Sequence, residues 1–192
     1  MKKFLTLRNI VLASGALLVV VGFILAYVAS FNFEYMGYPA ELKGYVFGGS
    51  TAVVEGQEYP VKDLLGAQPG ILVAPFLGGL FMVLGAIGAC VVGLFVKKPF
   101  AKFIVLGCAV LVLAGGIMQF FPVESFSASY SRAYAKEAGI TDEAEIQQLI
   151  NQMTESLKQL GAKAPLSIVG GVLGCVGAVA TGVSAFLGKK GE

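Results

Sequence analysis

Histidine and tryptophan are both missing from this chain. Without histidine, no side chain has an unperturbed pKa between about pH 5 and 8, and the commonest general base, metal ligand and proton relay is lost. Charge is scarce too. Charged residues make up 14% of the 192 positions, against about 25% in a soluble domain. The net charge of +2 is too small to point to nucleic acid. The three cysteines, Cys90, Cys108 and Cys175, all sit in apolar runs. A disulfide framework would place cysteines in the polar segments, so these thiols are expected to pack as small buried hydrophobes. No nucleophile motif or phosphate-binding glycine loop occurs, and neither a cofactor nor a metal is expected.

What is present is apolar and small. Hydrophobic residues account for 56% of the chain and glycine for 26 positions, nearly twice the usual share of roughly 7%. The mean hydropathy is +0.79. A membrane span takes about 20 mostly apolar residues, and four runs qualify: 10–31, 71–96, 103–121 and 166–187. None contains Asp, Glu, Lys or Arg. Residues 1–192 are therefore expected to form a single membrane domain, a four-helix transmembrane bundle. The polar segments 32–70 and 122–165 would form a cap, and only the turn KKPFAK joins the second and third spans.

Lys and Arg gather on the cytoplasmic side of a membrane. Lys2, Lys3 and Arg8 precede the first span, Lys97, Lys98 and Lys102 fill the short turn, and Lys189 and Lys190 follow the fourth. All three places fall on one side. The expectation is a plasma-membrane protein with both termini cytoplasmic and two long, net-acidic external loops. The start MKKFLTLRNIVLASG also has the order of a signal peptide, but its apolar run exceeds the usual 7–15 residues, which favours a retained span.

The chain contains a repeat. Residues 78–98 align with 170–190 without gaps, with 7 of 21 positions identical, and residues 8–24 align with 102–118. The offsets are 92 and 94. Chance similarity of apolar segments competes with duplication of a two-helix hairpin, and the matched order and flanks favour duplication. The two copies would be parallel, related by an axis along the membrane normal.

At about 100° per residue, Gly170, Gly174, Gly177, Thr181, Ser184 and Gly188 share one side of the fourth span. Bulky residues fill the opposite arc. The second span repeats this division through Gly78, Gly85, Ala89 and Gly93, with Met82, Val92 and Gly88 out of place. Lipid gives little hydrophobic reason for helices to associate, so close van der Waals contact between small faces must drive it. Three readings stand: packing inside the bundle, a face shared with another chain, and a pore lining, for which Gln119 and scattered Ser and Thr are the only polar groups.

In the first polar segment, ELKGYVFGG and TAVVEGQEYPV flank Gly48-Gly49-Ser50 and predict a β-hairpin. The aromatic start FNFEYMGY suits the headgroup belt. The second segment predicts two helices. Phe126, Tyr130 and Tyr134 recur every four residues in the first, which Gly139 would end. The second opens with a Thr141 N-cap and closes at Gly161. Its stripe is Ile146, Leu149, Ile150, Met153, Leu157 and Leu160. Burial against the hairpin and first helix is one reading of that stripe. Binding of a partner or the bilayer is the other. Asp142, Glu143 and Glu145 lack calcium-loop spacing and read as helix capping.

Four spans with a β-prone first external loop resemble the general plan of claudin-like proteins. The resemblance is one of topology, since the Trp, Gly-Leu-Trp and paired-Cys signature of that loop has no counterpart here.

Three functional classes follow. The first is a non-enzymatic structural or accessory protein that binds another membrane protein or itself through small-residue helix faces and its external cap. The second is a channel or transporter component for a neutral or small solute, acting as an oligomer. The spans carry no ionisable group of the kind that marks ion pathways. The third is an enzyme built on Glu34, Glu124, Tyr130 and Arg132 near the membrane edge, for which no motif speaks.

Overall fold

The computed structural model describes residues 6–35, 38–96 and 100–187. Lys2, Lys3, Lys97, Lys98, Gly188, Lys189 and Lys190 lie outside them, as do the side chains of residues 28–30, 33–35, 38 and 39. The chain divides into two compact units, one of Met1–Ala26, Leu77–Phe120 and Val169–Glu192, the other of Tyr27–Phe76 and Phe121–Ile168.

The first unit is helical. It contains α1 (Leu7–Ala26), most of α3 (Val73–Phe95), α4 (Ala101–Met118) and most of α7 (Pro165–Phe186). These four helices are long and apolar enough to cross a membrane. The first span is shorter than its apolar run. Helix α1 stops at Ala26, and residues 28–31, expected in the span, belong to a strand. Hydropathy cannot see this switch because the run stays apolar through it, and only the change from a helical to an alternating side-chain period marks it.

Between these helices Val19, Met82, Ala86, Val112 and Ala178 form one buried cluster. Leu12, Ala89 and Val105 form a second, with Cys90, Cys108 and Ala185 packed against it. The bulky arc of α7 points outward: Val172, Val176, Val179, Val183 and Phe186 are all exposed. That is the distribution expected of helices whose outer surface meets lipid and whose association rests on close contact.

The second unit combines a sheet with helices. Strands β1 (Val28–Tyr35), β2 (Tyr38–Tyr45), β3 (Ser50–Val54) and β4 (Gln57–Pro60) form one antiparallel sheet in sequential order. The sequence anticipates a single hairpin, which corresponds to β2 and β3; the sheet doubles it. Strand β1 pairs along the whole of β2, placing Phe31 opposite Leu42, and Leu42 lies opposite Ala52. Strand β4 returns through a turn at Glu55 and Gly56, which have φ of 54° and 80°. A lone hairpin is marginal in water, and three or more strands over an apolar face are not.

That face is covered by α5 (Pro122–Ala138) and α6 (Glu143–Gln159), with the short α2 (Val61–Leu65) at the sheet's end. Phe31, Leu42, Ala52, Val61, Leu72, Val123, Phe126 and Leu157 make the core. Phe31 and Phe126 are wholly buried, with ring centroids 5.5 Å apart. Each is worth about 1.5–3 kcal/mol over an exposed ring. Gly44 makes the approach feasible, since a Cβ there would lie 3.1 Å from both Leu72 Cδ1 and Phe126 Cδ2. The N-cap of α6 is Asp142 rather than Thr141: its carboxylate accepts from the Ala144 amide at 2.9 Å. Gly139 and Gly161 follow α5 and α6 with left-handed φ of 73° and 69°.

Candidate functional site

Apart from Gly188, which is outside the described residues, the small-faced residues singled out from sequence lie between helices of this same chain. A Cβ on Gly170 would fall 2.5 Å from the Gly22 carbonyl oxygen, and one on Gly177 would fall 2.7 Å from that of Gly15. No real Cβ sits so close, so α7 and α1 meet backbone to backbone. Gly78 stands in the same relation to the Gly115 oxygen, at 2.7 Å, and Gly85 to that of Cys108, at 2.8 Å. Gly93 receives Leu12, and Ala89 is buried beside it. The Thr181 hydroxyl donates to the Gly177 carbonyl at 2.8 Å, and the Ser184 hydroxyl to that of Thr181 at 2.6 Å. These hydroxyls are buried and satisfied by their own helix.

The contacts recur in pairs. Gly22 touches Gly170 as Gly115 touches Gly78, and Val19 Cγ2 lies 2.6 Å from the Cβ position of Gly177 as Val112 Cγ2 does from that of Gly85. Gly79 meets the Phe23 ring where Gly171 meets Gly116. The spacing is constant: 93 residues from Gly22 to Gly115 and from Val19 to Val112, and 92 from Gly78 to Gly170 and from Gly85 to Gly177. The register in space therefore differs by one from the 94-residue offset of the best sequence match. Met82, which interrupts the small face of the second span, is wholly buried, with its Cε 2.7 Å from the Cβ position of Gly174, its own counterpart 92 residues on. One large and one absent side chain fill a place that two equal ones could not.

Sequence reasoning missed half of each contact. Gly15, Gly22, Gly115 and Gly116 lie on spans one and three, whose small residues are too few to form a visible half-cylinder. The only signal was the seven-residue interval between Gly15 and Gly22.

In the second unit, α5 and α6 border a groove of about 300 Å³ lined by Tyr130, Ser131, Tyr134, Leu149, Gln152, Met153 and Ser156. The four-residue spacing of α5 sets Phe126, Tyr130 and Tyr134 in one row, with neighbouring ring centroids 6.4 and 6.3 Å apart. The Tyr130 hydroxyl donates to the Leu65 carbonyl at 2.7 Å. Burial, with smaller contributions from Tyr134 and Glu137, holds its pKa above the ordinary 10.0. Of the predicted stripe, Leu157 is buried, Met153, Ile146, Leu149 and Ile150 are half-buried, and Leu160 is exposed. The stripe thus packs at Leu157 and opens to the groove at Leu149 and Met153.

Of the four groups considered for catalysis, the three whose side chains are described are each engaged with another partner. Glu124 pairs with Lys158 at 2.8 Å and Arg132 with Glu143 at 3.3 Å, both exposed pairs. Tyr130 is engaged with Leu65. The Glu34 side chain lies outside the described residues. Among the described residues no group of three or more His, Cys, Asp or Glu side chains could hold a metal ion. The groove lining comprises two phenols, two hydroxyls, an amide, a thioether and the Leu149 side chain. No protein-family model, curated protein or solved structure matches the chain.

Proposed function

We propose that this is a non-enzymatic integral protein of the cell membrane, a structural or accessory four-span protein that binds another membrane protein or a second copy of itself. The small-residue faces fix the spans against one another, and the segments between spans fold into a unit that presents the α5–α6 groove to a partner. Both termini are cytoplasmic and that unit is external, a topology supported by the placement of the lysines. The spans are two parallel copies of a helix hairpin, a reading supported by contacts that recur at constant spacing.

One observation carries the functional reading: the helices meet through glycine backbones, while Val19, Met82, Ala86, Val112 and Ala178 fill the space between them. Helices locked at this distance suit a rigid scaffold. The test is chemical crosslinking in the native membrane, purification in mild detergent and mass spectrometry of the products. A recurrent partner or a defined homo-oligomer is expected, and a strictly monomeric species retaining nothing would refute the proposal. Flux of a neutral solute through reconstituted liposomes would favour a channel component instead.

A further inference from the structure

We infer that the turn between β2 and β3 is a membrane-anchoring element, with the Phe47 ring seated at the headgroup–acyl boundary of the bilayer. Phe47 is 58% exposed although it is a large apolar side chain on a turn. Its ring lies 5.6 Å from that of Tyr27 and 5.6 Å from that of Phe76. Tyr27 is the residue after α1 ends, and Phe76 lies in the first turn of α3. Both helices are of spanning length and hydropathy, so these rings mark where two spans meet the membrane surface. Aromatic residues favour that depth.

The turn is held in place. The Val46 amide donates to the Tyr27 carbonyl, the Leu72 amide to that of Val46, and the Gly49 amide to that of Pro69. Gly48 and Gly49, with φ of 99° and 88°, make the reversal. Apolar exposure extends to the nearby Ile71 and Val73, which are 48% and 60% exposed. The three chain segments that meet here, residues 27–33, 44–54 and 64–76, contain no charged residue. A water-facing turn has no reason to lie in such a field, whereas a lipid-facing one does, because two of these segments run on directly as spans. An interfacial apolar element settles about 5–10 Å into the boundary region.

The absence of native tryptophan supplies the experiment. Phe47→Trp places one indole in the whole chain, and the protein is reconstituted in phosphatidylcholine vesicles brominated either near the headgroup or deep in the acyl chain. Tyr134→Trp, in the α5–α6 groove, serves as the solvent-side comparison, and Phe186→Trp, on the outer face of α7, as the span comparison. The indole of the Phe47→Trp protein is expected to emit to the blue of that in Tyr134→Trp. Shallow bromines should quench it severalfold more than deep ones, and acrylamide only weakly. Red emission quenched by acrylamide would overturn the inference. So would blue emission indifferent to bromine, which would mean that protein covers the ring. Bromine quenching of the Phe186→Trp protein in the same vesicles separates failure at this turn from failure of the protein to span.

Discussion

The pairing of Met82 with Gly174 permits a test of the internal symmetry that ordinary core mutations do not. Met82→Gly removes a wholly buried side chain. Truncating a buried methionine costs roughly 2–5 kcal/mol, and glycine inside a helix adds about 1 kcal/mol. In a bilayer the transfer part of that cost shrinks, because the separated helices already lie in an apolar solvent. The lost contacts remain. Gly174→Met alone forces a second side chain into the space occupied by Met82 Cε, and overpacking of this kind costs about 1–3 kcal/mol.

The double substitution M82G/G174M moves the side chain to the opposite side of the same space. The surface to receive it exists. Met82 crosses Gly115, whose Cβ position is 2.9 Å from the Met82 amide nitrogen, and the Cβ position of the counterpart Gly22 is 3.1 Å from the Gly174 amide nitrogen. The helix penalty of glycine cancels in the exchange. The double variant is therefore expected to be more stable than the worse single one, with a coupling of about 0.5–3 kcal/mol. Unfolding in mixed micelles, followed by loss of helical circular dichroism, measures it. Additive losses in the double variant would refute the symmetric reading of the bundle.

Other expectations follow from single contacts. Gly170→Val should destabilise the helical unit far more than Gly107→Val, since the first position meets the Gly22 carbonyl and a Cβ at the second meets nothing within 4 Å; melting temperatures in one detergent compare them. Asp142→Ala removes the N-cap of α6 and should cost about 0.5–2 kcal/mol, measured as the loss in unfolding free energy, with Asn at the same position restoring most of it. Tyr130 should ionise above the ordinary value of 10.0, with burial as the main cause. Its neutral form is the one the fold favours, so its contribution to stability persists below that value and falls as pH rises through it. Spectrophotometric titration of wild type against Tyr130→Phe would show the late-ionising phenol disappear.

Much of the chain was legible in one dimension. The four spans followed from hydropathy because burial in lipid is a sum over local residues, and each helix carries its own backbone hydrogen bonds. The ends of α5 and α6 were legible at Gly139 and Gly161, where only a left-handed backbone was needed. The boundary at Ala26 was not, because the composition does not change where the period does. The sheet was half visible: Gly48-Gly49-Ser50 announced the central hairpin, but β1 begins inside the apolar run of the first span and β4 is exposed along its whole length. The α5–α6 groove was invisible for a related reason, since Tyr134 and Met153 meet only after two helices have packed.

The sequence by itself determined that four apolar helices would form, that lysines would collect at one set of their ends, and that glycine would crowd one half of α7. Those properties are additive along the chain. Tertiary structure alone decided what each small face would touch. Gly170 acquires its meaning from Gly22, and Gly174 from Met82. Close packing depends on two surfaces reaching contact in one register, and nothing local in either helix records the shape of the other.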